Sequence, residues 1–223
     1  MTISPLFKQV FDDAPCILPE TIGHARFDVT IAANDYGLFC LPKRLRSDPV
    51  ISCLNAGNVY QPRTTAMIQR DATSRDVVSV GALYGAFLPA LSMAMTRTTV
   101  LHCIDPDPIS YHAALQTVAL NELRNISPTQ AALHPAQLSP NAKARKVDDI
   151  VMSNRDVGVL HVAGPMDVER TLRGAINLLV GNAPTLVIEA DDEEPILKSL
   201  LQIAPHLGYK VSSQFEGNLI LTA

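Results

Sequence analysis

From Asp76 onward the chain alternates short, wholly apolar runs with longer segments of helical spacing, and this alternation constrains the fold more than any other feature. "VVSVG" reads as a strand and Gly85 to Met95 as a helix; "TTVLHCID" is the next strand and "PISYHAALQTVALNEL" the next helix. "PTQAAL", "VGVLHVAG" and "PTLVIEAD" follow as strands, with "PMDVERTLRGAINLLV" and "EEPILKSLLQIAPHL" as helices. "YKVSS" and "NLILTA" close the chain as two strands around Gly217. Short apolar strands between amphipathic helices predict a mostly parallel sheet covered on both faces. Pro89 does not oppose the first helix, because the first four N–H groups of a helix have no intrahelical partner.

Upstream, "RFDVTIAANDYGLFCLP" predicts a hairpin around Asn34-Asp35, and "DPVISCLNAGNVYQPRTTAMIQRDA" one or two helices broken near Gly57 and Pro62. Residues 1–25 are Pro-rich and weakly patterned. Residues 1–72 are therefore expected to form an N-terminal extension of hairpin and helices, and residues 73–223 the α/β domain. Hydrophobic residues make up 47% of the chain and charged residues 18%, which supplies a sizeable core. A net charge of −4 gives no electrostatic footprint for nucleic acid. No run reaches the roughly 18 apolar residues of a membrane span, and the N-terminus lacks a signal-peptide pattern, so a cytoplasmic protein is expected. Cys16, Cys40, Cys53 and Cys103 are scattered, without the spacing of a zinc site or a disulfide framework.

The stretch "DVVSVGALYGAFLPALSMAM" carries the chemistry question. In an open parallel sheet, ligands bind outside the carboxyl ends of the strands where strand order reverses, so this first strand-turn-helix is the expected cofactor site. Gly81 is followed by Ala82, Leu83 and Tyr84, which breaks the dinucleotide pattern, and the P-loop pattern is absent. Gly81 and Gly85 still allow close approach of the backbone to a flat or sugar-bearing ligand. Asp105 ends the second core strand, where a carboxylate can accept from both hydroxyls of a ribose. Asp105 and Asp107 can equally cap the helix that follows.

The segments "VVSVGALYGAFLPALS", "CIDPDPISYHAALQTVALNELRNI", "KVDDIV", "VLHVAGPMDVERTLRGAINLL", "PTLVIEAD" and "LGYKV…GNLI" stand in the order and spacing of the FkbM-type S-adenosylmethionine-dependent methyltransferases, which this chain resembles over roughly residues 35 to 222. The resemblance implies a Rossmann-like class I methyltransferase fold, with seven strands, mostly parallel, and an antiparallel last strand. It implies S-adenosylmethionine as cofactor, held by Gly81, Ala82, Tyr84, Gly85 and Asp105. The departures matter as much. The family pattern D-x-G-A-N-x-G has Ser79 in place of its aspartate and Leu83 in place of its asparagine. The pattern K-x-D-x-E-G reads His161, Ala163, Pro165 and Met166.

His161 lies near the end of a core strand, where it either acts as general base toward a hydroxyl or serves as a structural histidine. Tyr84 either lines the pocket or packs beneath it, and Tyr60 either folds over the ligand as part of a lid or packs in the core. His102 reads as core. Asp167, Glu169 and the run Asp191 to Pro195 suit helix starts, and no metal site is read because Ala163 and Pro165 replace carboxylates. The expected function is O-methylation of a small molecule or saccharide, without nucleic acid, by a chain that can form a homo-oligomer. The alternative is a catalytically degenerate methyltransferase-fold protein that binds a ligand or docks a partner.

Overall fold

The computed structural model describes residues 28–133, 144–164 and 166–223; the expectations for residues 1–25, Cys16 and Pro165 lie outside them. The main sheet has seven strands: β3 (Asp76–Val80), β4 (Leu101–Asp105), β5 (Ile126–Gln130), β6 (Val157–Val162), β7 (Thr185–Glu189), β8 (Lys210–Phe215) and β9 (Asn218–Thr222). Their order is β5-β4-β3-β6-β7-β9-β8. β3 to β7 run parallel, and β9 lies antiparallel to both β7 and β8. This is the mostly parallel sheet with a reversed last strand expected of the class I methyltransferase fold.

Alternation along the strands creates two cores. One face carries Val77, Leu101, Cys103, Val159, Val187 and Ile220; the other carries Val78, Val80, Ile104, Leu160, Leu186 and Ile188. The first face is covered by α2 (Pro62–Asp71), α3 (Leu88–Ala94) and α4 (Pro108–Leu120), and by the N-terminal hairpin β1 (Val29–Asn34) and β2 (Gly37–Pro42) with α1 (Pro49–Asn55). The second is covered by α5 (Val168–Arg173), α6 (Ile176–Asn182) and α7 (Glu194–Ile203). No helix among the described residues is long and apolar enough to cross a membrane.

The hairpin turns at Asp35-Tyr36, where the Asn34 side chain accepts from the Tyr36 N–H at 2.9 Å. Asn121, at the end of α4, then treats β2 as a strand would: its Oδ1 accepts from Leu38 N–H at 2.9 Å and its Nδ2 donates to Leu38 O at 2.7 Å. The first core helix starts at Leu88 instead of Gly85, which puts Pro89 inside the permitted first turn. The segment expected as one helix after β6 is two, α5 and α6. The 3₁₀ turn Val147–Asp149 docks at the break: the Asp148 N–H donates to Gly174 O, and the Asp148 carboxylate accepts from the N–H groups of Asn177 and Leu178. At the amino end of the sheet, Asp76 is buried and accepts from Arg155 Nε and Nη2, the Val100 N–H and His102 Nε2. Burial raises the Asp76 pKa, but the Arg155 and Val100 bonds outweigh it and hold the carboxyl below its usual value.

Candidate functional site

Strand order reverses between β3 and β6, because the chain runs outward through β4 and β5 on one side and through β7 on the other. The register across this switch point is continuous: Ile104 pairs Val80, Val80 pairs Val162, and Val162 pairs Ile188. The next residue on each strand stands at the carboxyl edge. That edge row reads Asp105, Gly81, Ala163, Glu189 and, across β9, Asn218. One row deeper on the same face stand Cys103, Ser79, His161, Val187 and Ile220. Two carboxylates thus flank a centre that holds no side chain larger than a methyl.

The glycine loop is locked onto its neighbours. Gly81 has φ +93°, and a methyl group there would stand 2.3 Å from the carbonyl oxygen of Ala163. Gly85 has φ +88° and faces Thr117 of α4. Leu83 and Tyr84, between them, also have positive φ. The Leu83 side chain reaches across the switch point to Gly164. Asp105 is 3% exposed. Its Oδ2 accepts from the Ala82 N–H at 2.6 Å and the Ser110 hydroxyl at 2.7 Å, and its Oδ1 from the Asp107 N–H at 2.8 Å. Burial pushes its pKa up, opposed by these three bonds. Asp107 caps α4 through the Ser110 N–H, as a helix-start aspartate should.

His161 stands on the cleft face but in the deeper row, with no exposed surface. Its Nδ1 lies 3.1 Å from the Ser79 hydroxyl, and its Nε2 has no partner. The Phe87 ring covers it edge-on at 4.9 Å, and Tyr60 packs edge-on against Phe87 at 5.8 Å. Burial lowers the His161 pKa to about 4, so the imidazole is neutral near pH 7. The structure therefore brings the glycine loop from Gly81 to Gly85 onto Asp105, with the Tyr84 hydroxyl turned to Asp48, and keeps His161 beneath Phe87. Asp167 caps α5 through the Arg170 N–H, and His102 belongs to the Asp76 cluster.

Three further polar residues stand by the glycine loop and the carboxyl edge. Asp48 caps α1 through Oδ1, while its Oδ2 accepts from the Tyr84 hydroxyl at 3.2 Å, which ties the N-terminal helix to the glycine loop. Glu189 Oε2 accepts from the Gly164 N–H at 2.7 Å. Asn218 is fully buried; its Nδ2 donates to Gln61, Thr64 and the Glu216 carbonyl, and its Oδ1 has no partner. Burial first, then the charges of Glu189 and Asp48, push the Tyr60 hydroxyl up to about 12. Among the described residues neither Asp48 nor Glu189 has a cationic partner. Glu189 was legible by the rule that singles out Asp105, an acid ending an apolar strand; Asp48 and Asn218 carry no such signal, since each depends on a partner far away in sequence.

No family model matches the chain, and no curated protein matches it in sequence. Among solved structures, TYW2 from M. jannaschii, crystallised in complex with AdoMet, superposes with a TM-score of 0.55 at 16% identity, over 89% of this chain and 85% of that one. The fold is that of the class I methyltransferases. A tRNA m1G37 methyltransferase from M. jannaschii gives a TM-score of 0.52 at 14% identity, over 88% of this chain and 56% of its own. Methyltransferase FkbM from Methylobacillus flagellatus KT gives 0.52 at 20% identity, over 67% of this chain and 44% of its own. The chain thus spans about half the length of these last two. At such identities the likeness is one of fold, and fold alone does not set what the site does.

Proposed function

We propose that the crevice binds S-adenosylmethionine and that the protein transfers the methyl group to an oxygen of a small-molecule or saccharide acceptor. The observation that carries this reading is the Asp105 carboxylate, which meets the glycine-loop N–H of Ala82 at the switch point of the sheet. The residues present fit the group. A carboxylate has about four acceptor positions; three are taken within the chain, and one on Oδ1 is left for a ribose hydroxyl. Asp48, Asp105 and Glu189 give the crevice a negative field that suits a ligand carrying sulfonium and ammonium charge. The same field opposes a phosphate backbone, so a tRNA acceptor is the poorer reading despite the fold shared with a tRNA methyltransferase. Kinship with the FkbM type rests on the order of the sequence segments.

When bound, S-adenosylmethionine supplies an activated methyl on a positive sulfur; the chain's work is binding and orientation. Asp105 and the Gly81–Gly85 loop hold the nucleoside end, and Tyr84 and Tyr60 wall the crevice. His161 serves as a general base only when Phe87 leaves its edge; in the present arrangement it supports the edge row from below.

A second reading has its own support. The bonds of Asp105 are mostly internal, both loop glycines are explained by packing within the chain, and His161 is sealed. These features suit a protein that keeps the fold to bind a ligand or partner without turnover. Calorimetric titration of the ligand-free protein with S-adenosylmethionine and S-adenosylhomocysteine, with Asp105→Ala as control, tests both. Saturable binding lost in the variant supports the proposal, and turnover then separates enzyme from binder. No binding up to millimolar ligand overturns it.

A further inference from the structure

We infer that Glu189, with Asn218 beside it, forms a recognition site for an organic ammonium group at the end of the crevice opposite Asp105. This rests on the reading of the crevice as a ligand site. Glu189 and Asn218 face each other in the β7–β9 pairing, so their side chains share the cleft face. Glu189 spends one oxygen on the Gly164 N–H and has no cationic partner among the described residues.

The Asn218 amide is oriented by its surroundings. The Glu216 carbonyl, Gln61 Oε1 and Thr64 Oγ1 all receive its nitrogen, so its Oδ1 is the orphan. An unpaired buried acceptor costs stability and calls for a donor. The neighbouring groups are also electron-rich. The Tyr60 ring stacks edge-on with Phe87, and its hydroxyl lies in the fields of Glu189 and Asp48. A carboxylate, an unpaired amide oxygen and an aromatic ring form an acceptor set for a group that only donates, which an ammonium does.

The span agrees. Asp105 and Glu189 lie three strand steps apart, roughly 14 Å at about 4.8 Å per step. In an adenosyl amino acid, about seven single bonds separate the ribose hydroxyl carbon from the amino nitrogen. Zigzagged at about 1.5 Å each they reach roughly 9 Å; the C–O bond and a hydrogen bond of about 2.8 Å at each end bring the total to roughly 16 Å, within the play of the two acidic side chains. The ammonium is therefore either the amino-acid end of the methyl donor or that of a separate aliphatic amine.

The experiment uses the full chain and Glu189→Gln, which keeps an oxygen for the Gly164 N–H; matching melting curves establish that it folds. Each is titrated with S-adenosylhomocysteine, with 5′-methylthioadenosine, which lacks the amino-acid end, and with 1,4-diaminobutane. The expected result is about a tenfold or greater weakening of S-adenosylhomocysteine in the variant, with 5′-methylthioadenosine unchanged. If both adenosyl ligands bind alike to the two proteins while diaminobutane binding is lost in the variant, the site stands and its ammonium belongs to a separate amine. If neither adenosyl ligand binds, the proposed function fails, and the diaminobutane arm alone decides the ammonium site. Equal weakening of both adenosyl ligands, or no effect of Glu189→Gln on any of the three, overturns the inference.

Discussion

The buried histidine makes a quantitative prediction about acid stability. His161 has no exposed surface, shares a hydrogen bond only with Ser79, and leaves Nε2 unpaired. Its folded pKa of about 4 lies below the ordinary imidazole value of 6.5 because burial penalises the imidazolium. The sign follows from linkage. Between pH 6.5 and 4 the unfolded chain takes up the proton and the folded one does not. The contribution is therefore intact above about pH 6.5 and is lost as pH falls toward 4. Integrating these two values gives roughly 2.5 kcal/mol lost between pH 7 and 4.5. The paired substitution Ser79→Ala with His161→Leu removes the titrating group, its partner and the orphan nitrogen at similar volume. Urea melts at both pH values should show the fall in stability reduced by about that amount relative to the parent. His102 and His112 also have lowered pKa values, chiefly through burial, so the variant keeps a shallower acid limb. Parallel acid limbs in the two proteins would refute the reasoning, because they would mean that the imidazole protonates freely in the folded state.

Four further outcomes follow from the same structure. Gly81→Ala combines a backbone at φ +93° with a 2.3 Å approach to the Ala163 oxygen; it should cost at least about 2 kcal/mol in a denaturant melt. Asp105→Ala frees the Ala82 N–H and the Ser110 hydroxyl together and should destabilise the fold by about 2 kcal/mol or more while abolishing adenosyl binding, both readable in one calorimetric series. Arg155→Met strands a buried carboxylate and should cost about 3 kcal/mol at pH 7. Its deficit should shrink as pH falls through the depressed Asp76 pKa, since a paired carboxylate stabilises only while ionised. Phe87→Ala uncovers the imidazole edge; it should raise the His161 pKa toward 6.5, readable by NMR titration.

The sheet was legible because its strands are short and apolar while its helices are longer and mixed. That contrast survives any detail of packing, and it found every core strand from Asp76 to the terminal hairpin, although the strand expected over residues 128–133 runs from Ile126 to Gln130. What failed were positions set by distant contacts. Gly174 lies mid-pattern in a good helical sequence, yet the Asp148 turn docks on its carbonyl and divides the helix. His161 has the alternation of a cleft residue, and only the register with Ser79 and the cover of Phe87 reveal that it sits one row too deep. Asp105 stood where its strand end predicted, but its internal bonds depend on Ser110 and on the backbone of the glycine loop folding back.

These particulars change what the altered motif positions mean. Ser79, at the aspartate position of the pattern that the sequence resembles, is paired with His161, at the lysine position of the other. An acid and a lysine in the same two adjacent places would form a buried ion pair; a serine and a neutral histidine fill them with one hydrogen bond and no charge. The two positions are thus neighbours across β3 and β6 and satisfy one another. The deeper row carries no charge, and the edge carries it on Asp105 and Glu189. Under the proposed function a ligand is therefore read by the two strand-end carboxylates flanking Gly81 and Ala163.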